Sequence, residues 1–442
     1  MTGPSHLRDS LSFGHLWATD AMRAWFGESE RTRAWLLIYA GIAAAQADIG
    51  AIPRTAAEHI AACCATARPS LASVSARTRE AGHSTAGLVE WLRDAAGPEG
   101  ARYVAVATTV QDVSDTWTAL TLQRTGQLIE RDLVAVVGRL RILATRYRDT
   151  PMMARTHGQP AVPITFGFKL AQWGAEFDRH LQRLRAGRAR WESAQLGGSV
   201  GSLAYWGPDA PRLLEAFSRR IGLPAPVLPW GSARDCVAEF ATCAGLVSAT
   251  LAKVGNEIYQ LQRPEIGELS EPVTSAQIGS VTMPHKRNPE RCEHLVTLNT
   301  LVRSHVGALL AGMVSEHERD GRAWKVEWIA LPDLCCEITR ASSLARELLD
   351  GLDVHTERMQ HNIDEQHQHA FSEQLVRSLA GRLGYSDAYA SARATTGAAR
   401  SGQLTALESS GAAAEGDESM GIDAAIASAV ALTDRWLSGS TP

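Results

Sequence analysis

A chain of 442 residues, 45% of them hydrophobic, carries enough apolar surface for a large core and enough length for two or three domains. Its formal net charge of -4 argues against a basic surface that would hold nucleic acid. The longest apolar run, Ala34 to Ala47 with Gln46 inside it, is too short to span a bilayer, so no membrane partner is expected.

Asp20, Arg23 and Glu28 interrupt any signal-peptide core near the N-terminus. The seven cysteines include two adjacent pairs, Cys63-Cys64 and Cys335-Cys336, and no C-x-x-C. A reduced, cytoplasmic protein is the expectation, with no zinc site, no catalytic metal and no cofactor.

Helix signals dominate the chain. Arg31 to Ala47 reads as one apolar segment closed by Gly50 and Pro53. From Val113 to Tyr147, apolar residues such as Trp117, Ile129, Leu133, Val136, Leu140 and Leu143 fall largely at three- and four-residue steps, which predicts a helix far longer than the usual ~11 residues. Leu196-Gly-Gly-Ser-Val-Gly-Ser202 reads as a glycine loop between helices. A further long pattern covers about Ala233 to Gln262, and another runs from Cys292 through Leu295, Val302, Val306 and Leu309 to Met313. The chain from about Leu344 reads as a smaller helical unit, and Ser401 to Ile422, rich in Ser, Gly, Ala and acids, as exposed and mobile. The fold class expected is all-α: an elongated central helical bundle with smaller helical N- and C-terminal domains. The divisions fall at 1–100, 101–343 and 344–442.

Between the last two long patterns lies Gly279-Ser-Val-Thr-Met-Pro-His-Lys-Arg-Asn-Pro289. Gly279 admits backbone angles that other residues resist, while Pro284 and Pro289 stiffen the chain and push their predecessors out of helix. The stretch reads as a loop, and as a lid able to close over an anionic ligand. It carries a hydroxyl, an imidazole, two fixed cations and an amide, a set that can hold a carboxylate and supply a base.

The loop resembles the G-S-S-x-M-P-x-K-x-N-P signature of the fumarase/aspartase superfamily, with Val281 in place of the second serine. The resemblance covers nearly the whole chain and is closest to the 3-carboxy-cis,cis-muconate cycloisomerase and adenylosuccinate lyase branch. Ala21-Met-Arg23, Gln46-Ala-Asp-Ile-Gly50, Leu228-Pro-Trp230 with Arg234-Asp235, and Glu316-His-Glu-Arg319 with Trp324 and Glu327-Trp328 all resemble cycloisomerase segments. The resemblance implies a homotetramer with a 20-helix core, in which three subunits build each active site.

It also implies roles for particular residues. Ser280 stands where the family's base stands, and an alkoxide there needs cations or amides close by. Lys286 and Asn288 match a carboxylate-binding pair. Arg155-Thr156-His157-Gly158-Gln159 resembles the R-T-H-x-Q segment, whose histidine serves the departing group, and Glu293 matches the glutamate that orients this histidine. Thr109-Val110-Gln111-Asp112 occupies the T-S-x-D segment, so Thr109 and Gln111 join Thr156 and Gln159 as substrate-binding candidates. His83 lies near the place of a second active-site histidine, with an ordinary surface role as its alternative. Arg319 belongs to a segment that reaches the pocket in relatives.

The departures narrow the reaction. Trp324 and Trp328 stand where adenylosuccinate lyases hold a phosphate with serine and arginine, and uncharged rings cannot hold a dianion. Ala105, Val110 and Gly231-Ser232-Ala233 replace polar residues of the cycloisomerases, and a pocket for a tricarboxylate should keep its donors. The expectation is therefore a lyase that removes a group, expected to be attached through nitrogen, from a substituted succinate to release fumarate. A carboxymuconate cycloisomerase and a non-catalytic helical scaffold are the alternatives.

Overall fold

The computed structural model describes residues 6–66, 68–273, 279–366, 370–400 and 421–439, the last four residues before 401 by backbone alone. The stretch 401–420, read from composition as exposed and mobile, lies outside the described residues.

Among the described residues the fold is all-α apart from two small antiparallel ribbons. Helix α1 (Glu28–Asp48) covers the expected Arg31–Ala47 segment and begins three residues earlier, with Glu28 and Glu30 in its first turn, where carboxylates complement the helix dipole. It is followed by α2 (Arg54–Thr66), α3 (Leu71–Ala81) and α4 (Ala86–Ala95). Helix α5 (Val110–Arg146) realises the long periodic pattern over 37 residues. Strands β1 (Pro151–Thr156) and β2 (Gln159–Thr165) form a hairpin that the sequence reading did not anticipate. Then come α6 (Phe166–Trp191), α7 (Ala210–Ile221), α8 (Asp235–Gln262), the short β3 (Leu269–Ser270), α9 (Glu290–Ala311) and α10 (Gly321–Asp350). The chain finishes with β4 (Asp353–Val354), paired with β3, and with α11 (Thr356–Asp364), α12 (Ser372–Leu383), α13 (Tyr385–Arg400) and α14 (Ile422–Ser438).

Helix α8 is long and apolar enough to cross a membrane by length and composition, a feature the sequence reading passed over in favour of Ala34–Ala47. Yet 67% of its most apolar window is buried within the chain, as suits a core helix.

Residues contact one another as two compact units, and each of the five long helices α5, α6, α8, α9 and α10 contributes residues to both. The first unit comprises 1–131, 182–249 and 297–343. Here α1 packs on α2 and α7. At the α1–α7 contact Gly41 makes room for the end of the Ile221 side chain, which a Cβ there would meet at 2.7 Å. Trp191 packs edge-on against Phe240, and Trp25 stacks on Trp117 at 4.3 Å. The interior also holds an ion cluster. Arg234 donates to Asp115 at 2.7 Å and to Glu327 at 2.8 Å, and the Trp324 indole N–H donates to Asp115 at 3.1 Å. All three charged residues are buried, so removing one partner would strand a charge in apolar surroundings, at about 3–5 kcal/mol.

The second unit comprises 132–181, 250–296 and 344–442. Its hairpin packs β1 on α11 and β2 on α14. Trp436 of α14 fills the notch over Gly174, where a Cβ would lie 2.1 Å from the indole, and its N–H donates to Asp178 at 2.8 Å. Glu268 is fully buried and receives Arg155 through two bonds of 3.0 and 2.8 Å, while Asn362 donates to it at 2.7 Å.

Candidate active site

In the first unit, the N-terminus of α5 gathers a polar cluster. Thr109 and Gln111 flank the start of the helix. Arg319 reaches both from the segment before α10: its Nε donates to Gln111 Oε1 at 2.8 Å and one Nη to Thr109 Oγ1 at 2.9 Å. Its other Nη donates to the carbonyl of Gly198 at 3.1 Å. Gln111 in turn donates to the carbonyl of Gly231, so both ends of its amide are fixed. Three of the residues predicted for substrate binding are thus brought together. Arg319 is exposed, and among the described residues it forms no ion pair; its guanidinium is held only by neutral oxygens. A fixed cation without a carboxylate partner is suited to an external anion.

The sequence reading did not single out the residue that fixes this cluster. Asp112 is fully buried and accepts the backbone N–H groups of Thr109 at 2.9 Å, Gly197 at 2.7 Å and Gly198 at 3.2 Å. It therefore ties the glycine loop to the start of α5 and sets the Gly198 carbonyl under Arg319. Burial pushes its carboxyl up to about 6, against the opposing pull of those three donors. The available signal was an aspartate two residues into a helix, with a Gly-Gly pair elsewhere in need of partners.

His83 is exposed ahead of α4, and its Nδ1 lies 3.4 Å from the Thr85 hydroxyl, a contact that an ordinary surface histidine would also make.

The second unit holds the remaining candidates on three elements. The loop doubles back on itself: a Cβ at Gly279 would meet the Lys286 carbonyl at 2.4 Å, so only glycine permits the approach. Ser280 Oγ accepts the Met283 N–H at 3.2 Å, and the Lys286 N–H donates to the Met283 carbonyl at 3.0 Å. The Lys286 side chain is exposed and, among the described residues, has no ion-pair partner. Asn288 donates to Glu290 at 3.3 Å. Glu271, also missed by the sequence reading, pins both ends of the loop. Its carboxylate accepts Cys292 N–H at 2.6 Å and Arg291 N–H at 3.1 Å at the start of α9, and the Arg291 guanidinium donates to the Pro272 carbonyl at 2.8 Å.

Thr156, His157 and Gln159 occupy the exposed tip of the β1–β2 hairpin. Thr156 pairs with Gln159, and the two turn residues, His157 at φ 52° and Gly158 at φ 74°, both adopt the left-handed conformation of a two-residue hairpin turn. Histidine accepts that conformation at some cost, as does His317 at φ 55° in the segment that carries Arg319. Within the chain His157 makes no hydrogen bond to any described residue; Glu293, exposed in the first turn of α9, does not orient it here. Among the described residues no group of three or more His, Cys, Asp or Glu is placed to hold a metal.

Comparison with known proteins agrees with this architecture. A family model described as lyase matches residues 16–303. The chain is 37% identical over 385 residues to N-acetyl-S-(2-succino)cysteine lyase of Enterococcus italicus, covering 87% of this chain and 84% of the relative. It is 38% identical over 366 residues to 3-carboxy-cis,cis-muconate cycloisomerase of Pseudomonas aeruginosa, covering 82% and 80%. The crystal structure of 3-carboxy-cis,cis-muconate lactonizing enzyme from Pseudomonas putida superposes with a TM-score of 0.89 at 33% identity, over 97% of this chain and 98% of that one. The chain belongs to the lyase family of the fumarase/aspartase superfamily. Its all-α fold and cycloisomerase-like organisation are those of an enzyme.

Proposed function

We propose that the enzyme releases fumarate from a 2-substituted succinate by β-elimination. Ser280, as alkoxide, removes a proton from C3. The electron pair spreads into the adjacent carboxylate as an aci-carboxylate, then returns to form the C2–C3 double bond as the bond from C2 to the leaving atom breaks. His157 supplies the proton that the leaving group carries away, so the products are fumarate and the free amine or thiol. The leaving atom is nitrogen, as the sequence suggests, or sulfur, as relatives named for S-(2-succino)cysteine support.

The observation that carries this reading is Arg319, a guanidinium fixed by Gln111, Thr109 and Gly198 with no carboxylate of its own. It is suited to hold a substrate carboxylate, with Thr109 and Gln111 as its frame. Lys286 and Asn288 are assigned the other carboxylate, and neutralising it lowers the barrier to a doubly charged intermediate.

The assembly proposed is a homotetramer with sites shared between subunits. Five long helices from each of four copies would make a 20-helix core. Val134, Ile142, Leu246, Val296, Leu310 and Met313 leave apolar surface exposed on or just beyond these helices. A histidine without a hydrogen bond to any described residue of its own chain fits pairing with a group from another subunit.

A cycloisomerase reading keeps a place because of the 38% identity to the Pseudomonas aeruginosa enzyme. One experiment separates the two. The protein is incubated with N- and S-substituted succinates and with 3-carboxymuconate, and products are followed as fumarate or lactone. Fumarate from the succinates supports the lyase reading; lactone alone overturns it.

A further inference from the structure

A cavity of about 380 Å³ opens in the first unit among α1, α3, α4, α5 and α10. That volume lies within the range of small-molecule sites. Five of its lining residues are aromatic: Phe26, Trp35, Trp117, Trp324 and Trp328. Two of these walls are held rigidly. Trp117 is stacked by Trp25, and Trp324 is bonded to Asp115 and meets Trp328 edge-on at 5.0 Å. Polar groups are present but uncommitted. Ser75, Ser84 and Thr118 line the cavity, and their hydroxyls form no hydrogen bonds among the described residues. Glu28 and Arg31 stand three residues apart on α1 at the same cavity, and the third charged wall residue, Glu327, is held by Arg234, so the lining carries no excess of positive charge.

The cavity is also part of the framework that holds Arg319. Ser114, on its wall, donates to the carbonyl of Gln111 one turn earlier on α5. Gln111 and Arg234 both donate to the Gly231 carbonyl, and Arg234 clamps Glu327, a second wall residue, against Asp115. The donor cluster and the aromatic walls are therefore connected by a chain of buried and half-buried hydrogen bonds.

We infer that this cavity holds the leaving group of the substrate, and that the leaving group carries a flat, uncharged aromatic ring with hydrogen-bonding atoms on its edge. The inference rests on the 2-substituted succinate reading and names the substrate class that reading left open. Aromatic walls stack a ring, while Ser75, Ser84 and Thr118 meet its polar edge. A phosphate or sulfonate would meet one cation of the lining, Arg31, against the two carboxylates Glu28 and Glu327.

Two measurements on the intact protein test it. The first is calorimetric titration with quinoline, a flat bicyclic ring with one acceptor nitrogen. Saturable binding is expected, weakened about tenfold in Trp328→Ala and several-fold in Ser84→Ala. Trp328 and Ser84 are both exposed, so these variants should fold, and circular dichroism checks that they do. The second compares kcat/KM for 2-(phenylthio)succinate and 2-(methylthio)succinate. A preference for the phenyl compound of about tenfold is expected, and its loss in Trp328→Ala. Quinoline binding without turnover of either succinate overturns the succinate reading and with it the leaving-group role. Quinoline binding with equal kcat/KM for both succinates overturns the leaving-group role alone. Turnover with neither quinoline binding nor a phenyl preference overturns the cavity assignment and leaves the lyase reading standing.

Discussion

Arg319 and Gln111 lie 208 residues apart in sequence, yet the guanidinium Nε of one donates to the side-chain oxygen of the other at 2.8 Å. Arg319 is oriented by this contact, by Thr109 and by Gly198, with its charge left over for a ligand. Arg319→Lys keeps the charge and loses the fork, so kcat/KM on the best succinate should fall about thirtyfold to a hundredfold, with circular dichroism unchanged. A loss of less than threefold would remove Arg319 from the carboxylate site.

Ser280→Ala is expected to lower kcat by at least about a hundredfold, the range for loss of a general base, while the melting temperature stays within a degree or so of wild type. The change removes one hydroxyl whose only described bond is to the Met283 N–H in an exposed turn. Near-normal turnover would assign the proton abstraction elsewhere.

Asp112 makes a pH prediction whose sign can be worked out. Its carboxyl titrates near 6 in the folded chain and near the ordinary 3.8 when unfolded. A pKa raised by folding favours the folded state at low pH: the contribution is full below about 4 and is lost as pH rises through about 6. Against the non-titrating Asp112→Asn variant, wild type should therefore gain about one to two degrees of relative thermal stability between pH 7.5 and 5. A constant difference across that range would show that the three N–H donors outweigh burial.

Shared sites predict complementation. Ser280→Ala and His157→Ala proteins should each be inactive. Mixed after dissociation and reassembled, they should recover part of the wild-type activity, because some sites then draw both intact residues from different chains. Light scattering that reports a monomer, or mixed tetramers without recovery, would contradict the assembly.

The loop should also respond to ligand. Proteolysis between Gly279 and Asn288 is expected in the free enzyme and slowed by saturating fumarate. Equal cutting in both conditions would count against a closing lid.

The long helices were legible because periodicity is a local signal: α1, α5, α8 and α9 all fall on the apolar patterns read from the chain. The β1–β2 hairpin was not, since Pro151, Pro160 and Pro163 disguise both strands, although a His-Gly pair between two Val/Ile/Thr/Met-containing runs was the available clue. Thr109, Gln111 and Arg319 could be nominated by resemblance. Their mutual geometry could not, because it depends on Asp112 meeting Gly197 85 residues away and on Arg319 crossing more than 200. Glu268 and Glu271 look alike in sequence, three residues apart in one acidic stretch. Only folding separates them, one to hold Arg155 in the hairpin and the other to receive the first amides of α9.

The double anchorage by Glu271 has a use in protein engineering. Because Glu271 and Pro272 are fastened directly to Arg291 and Cys292, the segment between them is a cassette with fixed ends. Residues 281–287 are all exposed, so a relative's loop can be transplanted there, with Gly279 kept for the backbone approach to Lys286, without repacking α9. Chemistry encoded in that loop becomes exchangeable as a single short insert.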